Sequence, residues 1–266
     1  MRAHRKAEPA RIVSLAPSVT SILWAIGARR KVVGVTKWCP DVAPVGRLPR
    51  VGDCWAADPA AIGQLRPTLL IGSVPFNPEM VGRLLELGRP LLAMNPRSLA
   101  DVYADIRLLG RITGRDAAAA RVARQMRREL RAIAVVAGKR RGAARPRVYC
   151  EAWPNPRISS PPWVSELVEV AGGTPVVAAG QKVTDEQVTE SAPDVIVLAW
   201  AATGTKADPR RTLENAAWQE VPAVRARRVL VIRDEWLNTP APVLLRGARE
   251  LARILREVSG EARASR

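Results

Sequence analysis

Histidine occurs once in this chain, at His4, and the three cysteines, Cys39, Cys54 and Cys150, form no CxxC pair. A zinc site of the usual kind draws four Cys or His ligands from short spacings, so none is expected. There is no GxSxG, no P-loop and no GxGxxG after a strand, and no histidine outside the N-terminal tail for proton transfer. The common nucleophilic and nucleotide-dependent chemistries therefore lack their parts, and the chain reads as a non-enzyme with no intrinsic cofactor and no bound metal. Asp53, Asp58, Asp234 and Glu235 are loop carboxylates without an evident paired task. Cys39 and Cys54 are placed either to bridge a loop or to remain separate thiols.

No apolar run approaches the roughly 20 residues of a membrane span. The basic start "MRAHRKAEPARIVSLAP" is followed by no apolar core of a signal peptide. The expectation from this is a cytoplasmic protein, with a periplasmic or membrane-associated one as the alternative if the true start lies elsewhere. Carboxylates are scarce beside cations, 25 against 42, for a net charge of +17. Helix-turn-helix and zinc-finger spacings are missing, as is interleaving of aromatics with the basic residues, so no specific nucleic-acid partner is expected. The densest runs, "GKRRGAARPR" (138–147) and "RARRVLVIR" (225–233), sit at element edges, as in a generally basic surface drawn to anionic partners or membranes.

What the chain does have is a sentence written twice. "ADPAAIGQLRPTLLIG" (57–72) and "VTDEQVTESAPDVIVLAW" (183–200) each give a short helix, a proline and then an apolar run of strand length. Around the first copy the order is strand 11–16, helix 17–28, strand 31–36, a long loop at 47–59, strand "TLLIG", helix 77–88 and strand 89–95. Around the second it is strand "RVYCEA", helix "WVSELVEVAGG", strand "TPVVA", the repeated helix and strand, a linking helix near 212–217, strand 227–233 and helix 242–258. This alternation predicts an α/β fold of two similar lobes with mainly parallel central sheets. Between them "RDAAAARVARQMRRELRAIAVVAG" (115–138), free of proline and rich in alanine, predicts one long helix of roughly 30 Å or slightly more. The expected boundaries are a basic tail (1–10), a first lobe (11–114), the joining helix (115–138), a second lobe (139–258) and a tail (259–266).

In open parallel sheets ligands meet the loops at the strands' carboxyl ends, and two facing lobes would double that surface. Those loops carry Pro17-Ser18, "KWCP" (37–40), "SVPFNPE" (73–79), "EAWPNPRISSPPW" (151–163), "WAATGT" (200–205) and "DEWLNTPAP" (234–242). Aromatics are only 4% of the chain, yet Trp38, Trp153, Trp163, Trp200 and Trp236 all fall here. Rigid indoles at loop tips suit a flat, partly apolar ligand, while any one of them would equally serve to close its own lobe's core.

The segments "RIVSLAPSVTSILWAIGARRKVVGVT", "LRPTLLIG", "VTDEQVTESAPDVIVL" and "VIRDEWLNTPAPVLL" resemble the class III, helical-backbone periplasmic binding proteins that serve ABC importers of cobalamin, haem and iron-siderophores. The resemblance runs over residues 11–258 and is nearest to the cobalamin-binding branch. It implies a cobalamin-like corrinoid as ligand in the inter-lobe cleft, a permease and its ATPase as partners, and a monomer. Taken together with the strand-end loop positions, it places Ser18, Trp38, Ser73, Phe76, Trp153, Ile158, Trp200 and Trp236 at the ligand. Ser73 and Ile158 stand where that branch has a tryptophan and a phenylalanine, and Phe76 or Trp153 would have to compensate. Glu79 and Glu186 are implied as the carboxylates, one per lobe in matching helices, that dock on the permease. Two rival readings are a ferric siderophore or haem as the ligand, with Arg50, Arg97, Arg157 or Arg233 attracting an anionic siderophore, and a cytoplasmic corrinoid-handling protein or enzyme.

Overall fold

The computed structural model describes residues 10–138 and 144–264. The basic tail expected at the N-terminus thus lies, but for Ala10, outside the described residues. The chain forms two compact units: the chain up to Pro96 with Tyr103–Ala123, and Arg97–Val102 with Arg124 onward.

In the first unit β1 (Ile12–Ser14) leads into α1 (Pro17–Ala25), β2 (Val32–Gly34), α2 (Pro59–Gln64), β3 (Leu69–Ser73), α3 (Pro78–Leu85) and β4 (Leu91–Met94). The strand order is β2-β1-β3-β4, all parallel. Strands covered on both faces read as continuous apolar runs, which is why "TLLIG" carries no alternation. Each helix start has a local cause: proline at the first turn of α1 and α3, and Asp58 and Asn77 side chains accepting from backbone amides of α2 and α3. Val13, Leu15, Ile62, Leu70 and Leu84 form the core under these elements. Helix α4 (Leu99–Thr113) follows, and the 23-residue α5 (Asp116–Gly138) passes from the first unit into the second.

The second unit holds β5 (Arg147–Pro154), β6 (Arg157–Ser159), α6 (Pro162–Val170), β7 (Thr174–Pro175), α7 (Asp185–Glu190), β8 (Val195–Leu198), α8 (Pro209–Leu213), α9 (Pro222–Arg225), β9 (Val229–Val231), α10 (Asp234–Leu237) and α11 (Leu244–Ala264). The order is β6-β5-β8-β9, with β7 also on β5. One part departs from the sequence reading, in which 151–163 is a loop and "TPVVA" a full strand. Strand β5 instead runs on to Pro154 and returns as the antiparallel β6. One edge of β5 then serves two partners, β7 against Arg147 and Val148 and β6 beyond Glu151, which leaves β7 two residues long. Helix α11 runs on to Ala264, past the end expected at 258. Among the described residues no helix is long and apolar enough to cross a membrane.

The doubled sentence has an atomic counterpart. Arg11, before β1, donates through Nη2 to the Leu65 carbonyl (2.7 Å), and through Nε to those of Leu65 and Arg66, at the end of α2. Arg147, at the start of β5, does the same to Ser191 (2.7 Å) and Ala192 after α7. In both places the residue before the proline, Arg66 or Ala192, has positive φ, and the arginine satisfies the helix-end carbonyls that this sharp exit leaves open. By this match α2 with β3 corresponds to α7 with β8.

Candidate functional site

In the first unit the carboxyl ends of the strands carry the expected residues in very different states. Ser18 is buried in the first turn of α1, and Ser73 is buried at the end of β3, its hydroxyl without a hydrogen-bond partner among the described residues. Trp38 is half-buried after β2, with the Lys37 ammonium 4.6 Å from its ring centroid. Phe76 is half-buried and packs on the unit's core.

Another surface tryptophan lies outside the strand-end loops in sequence. Trp55 is 58% exposed, more than any other tryptophan that reaches the surface here. It belongs to the long loop before α2, far in sequence from any strand end. The Asn77 amide, however, donates to the Cys54 carbonyl (3.1 Å), and Gly72 leaves the space that the Cys54 thiol fills. These contacts bring Trp55 to the end of β3, and the Asp53 carboxylate fixes the turn by accepting from the amides of Trp55 and Ala56 at 2.9 Å each. The sequence signal was an isolated tryptophan in a Gly/Asp-containing loop.

In the second unit Trp153 is 41% exposed on β5, and Ile158 stands directly opposite it on β6. Such cross-strand pairs share one face, so the Trp153 ring stands beside Ile158. Trp236 is half-buried in α10. Trp163 and Trp200 correct the expectation of five loop-tip indoles, because both are buried and their N–H groups are used internally. The Trp163 indole donates to the Leu237 carbonyl and that of Trp200 to a Glu151 carboxylate oxygen, each at 2.8 Å. Indoles that turn inward satisfy their single donor inside, and these two belong to the core.

Glu151 is the centre of a buried polar cluster. It accepts from the Tyr149 hydroxyl (2.9 Å), the Trp200 indole and the Arg157 guanidinium (2.8 Å). Arg157 also pairs with Asp185 at 2.6 Å and lies 4.3 Å over the Trp218 ring. Burial pushes the Glu151 carboxyl above its ordinary range, against the pull of Trp200, Arg157 and Tyr149. Near α10, Arg233 pairs with the buried Glu235 at 2.6 Å, and Asp234 accepts from the amides of Ala202 and Gly204, ordering the loop after β8. Of the four arginines considered as attractors of an anionic siderophore, Arg157 and Arg233 are thus neutralised by carboxylates. Arg50 is turned back to carbonyls of its own loop, those of Leu48 and Gly46, and Arg97 is exposed.

The thiols and the docking carboxylates also take definite places. Cys39, Cys54 and Cys150 are free and buried, so no disulfide links Cys39 to Cys54. Burial raises all three thiols, those of Cys54 and Cys150 to about 12. Among the described residues no group of three His, Cys, Asp or Glu side chains is arranged to hold a metal. Glu79 and Glu186 are both exposed and both second in their helices, α3 and α7. Those helices are not counterparts. The matched arginine hooks pair α7 with α2, whose second residue is Ala60 and whose own N-terminal carboxylate is the cap Asp58. A hydrogen bond with Thr184 holds the Glu186 carboxyl below its usual range, and Thr184 and Gln187 close a capping box around it.

A family model described as "Periplasmic binding protein" matches residues 12–236. The ABC transporter substrate-binding lipoprotein YvrC of Bacillus subtilis is 28% identical over 93% of this chain and 80% of its own length. The vitamin B12-binding protein of Vibrio parahaemolyticus is 25% identical over 87% of this chain and 84% of its own. Among solved structures, the apo haem-binding protein RhuT of Roseiflexus superposes with a TM-score of 0.80 at 24% identity, covering 94% of this chain and 99% of that one. The vitamin B12-binding protein BtuF of Vibrio cholerae gives 0.73 at 23%, covering 94% and 98%. At such identities the two superpositions establish the fold, α/β units with parallel sheets and a long helix. The relatives overturn the cytoplasmic expectation: a lipoprotein and periplasmic binding proteins match nearly end to end, which places the protein outside the cytoplasm. That expectation rested on the first residues and on the lack of a long apolar run, neither of which reports the compartment of the folded body.

Proposed function

Given that the chain belongs to the periplasmic binding protein family and is a solute-binding protein of an ABC importer of the haem, siderophore and vitamin B12 group, we propose that its solute is a corrinoid, held without turnover. The observation that carries this reading is the set of indoles left at the surface near strand ends, Trp38 and Trp55 in the first unit and Trp153 and Trp236 in the second, while Arg157 and Arg233 are spent on internal carboxylates. Flat apolar rings, with two of the candidate arginines already paired, suit a large, nearly neutral macrocycle better than an anionic chelate. Two of the relatives that are named for a ligand, from Vibrio parahaemolyticus and Halobacterium salinarum, bind vitamin B12 or cobalamin.

Haem is the second reading, favoured by the fold neighbour RhuT. A haem iron asks the protein for an axial donor. Here Cys39, Cys54, Cys150, Tyr103 and Tyr149 are buried, Tyr149 is bound to Glu151, and His4 lies outside the described residues. A cobalamin brings its own base to cobalt and makes no such demand. On the transporter side, Glu186 is the carboxylate that docks on the permease, with Asp58 rather than Glu79 as its counterpart in the first unit.

The test is calorimetric titration of the protein with cyanocobalamin, haemin and a ferric hydroxamate, with Trp55→Ala and Trp38→Ala in parallel. Cyanocobalamin is expected to bind at one site per chain, weakened by about tenfold or more in each variant, as for a truncated aromatic anchor. Binding of haemin or the hydroxamate alone refutes the corrinoid. Cyanocobalamin binding untouched by either variant refutes the indole site.

A further inference from the structure

Of the six large hydrophobic side chains exposed among the described residues, four lie on helices, and two of these, Val135 at 59% and Val136 at 58%, are consecutive on α5. Val136 lines a groove of about 290 Å³ between the last turns of α5 and the middle of α11, both within the second unit. Its floor is Ile133, Val136 and Ala252, and its rim is Arg249, Arg253 and Arg256. On the same helix face as Val135, one and two turns back, stand the exposed Arg131 and Arg128.

Across residues 124–138 and 244–258 eight arginines face three glutamates. Glu129 pairs with Arg249, and Glu250 and Glu257 pair with Arg253. Arg128, Arg131 and Arg256 make no ion pair among the described residues. The inward side of α11, with Leu244, Leu251 and Leu255, is fully buried, so this helix is anchored in the unit and is not a free amphipathic segment.

From this we propose that the face made by the C-terminal half of α5 and by α11 is a docking surface for an anionic lipid membrane, independent of the solute site. A second copy of the chain is disfavoured as occupant, since two such faces repel. A purely ionic partner leaves Val135, Val136 and the groove floor unused. An anionic lipid surface offers negative headgroups to the arginines and an apolar layer just beneath them, and reversible peripheral attachment draws on both. The valines sit shallowly and the arginines supply most of the attraction, so binding is weak, salt-sensitive and lipid-selective.

The test is co-sedimentation of the purified full chain with vesicles of phosphatidylcholine alone and of an equimolar mixture of phosphatidylglycerol and phosphatidylcholine, at low and high salt. The protein is expected to sediment with the mixed vesicles only and to be released by salt. The pair Arg131→Gln with Arg256→Gln is expected to weaken partition by roughly 25-fold, and Val135→Ser with Val136→Ser to weaken it further. The pair Arg83→Gln with Arg89→Gln, exposed cations of the first unit, is expected to leave it unchanged. Circular dichroism and urea midpoints check that every variant is folded. Failure to sediment with the anionic vesicles overturns the proposal, as an acidic protein partner would produce. Equal retention on phosphatidylcholine also overturns it, as does a first-unit pair that weakens binding as much as the helix pair, which would reduce the effect to net charge.

Discussion

Removing the guanidinium of Arg157 is the sharpest test of how the second unit is held together. Arg157→Met keeps a similar stem over Trp218 but deletes the cation that bridges Glu151 and Asp185. Glu151 is 2% exposed, so its charge would stay in the interior with only the Trp200 and Tyr149 donors to hold it. Breaking a buried pair from one side costs about 3–5 kcal/mol, and the lower end applies because the Arg157 side chain is itself one-fifth open to water, at 20%. The sign of the pH dependence follows from Glu151. Burial already raises its carboxyl above the ordinary 4.5, and loss of Arg157 takes away an opposing influence and raises it further. An acid whose folded value is raised destabilises the fold above that value, and the cost is relieved as the pH falls through it toward 4.5. The variant's deficit is therefore largest at neutral pH and shrinks on acidification. Urea unfolding followed by tryptophan fluorescence measures it, with Arg157→Met/Glu151→Gln expected to recover part of the loss. A deficit under about 1 kcal/mol at neutral pH, or one that does not change with pH, would refute the buried-network account.

Other outcomes follow from single features. Gly72→Ala puts a methyl group into the Cys54 thiol, and the overpacking is expected to cost about 1–3 kcal/mol and to shift the emission of the neighbouring Trp55; unchanged stability and emission would show that the loop does not rest on β3. Asn77→Ala removes the acceptor for the Glu79 and Met80 amides and is expected to lower the urea-derived stability by about 1 kcal/mol. The three thiols, buried and with raised values, are expected to resist Ellman's reagent at neutral pH until the chain is unfolded. Rapid release of even one equivalent from the folded protein would contradict their burial.

Much of the architecture was legible because its signals are local. Proline at the first turn of α3, the cap at Asn77, and unbroken apolar runs for β1, β3 and β8 each act within a few residues, and the alternation they produce leaves parallel sheets as the arrangement that buries every strand. Strand β6 escaped because its signal is weak in sequence: a three-residue strand behind a Pro-Asn-Pro turn gains its place from Arg157 and Ser159 reaching Glu151, Asp185 and Ala178. The proposed site was legible only in part: Trp38, Trp153 and Trp236 stand in strand-end segments that the sequence marks, whereas Trp55 was hidden by sequence distance.

By itself, then, the sequence determined the order of elements, the doubled α/β plan and the resemblance that the family match bears out. Tertiary structure alone decided which tryptophans face water and which arginines remain free. Those outcomes depend on partners far along the chain, 49 residues for Trp200 and Glu151 and 74 for Trp163 and Leu237. Burial and ion pairing are properties of what the fold brings together, and a residue's own neighbours in sequence carry no record of that.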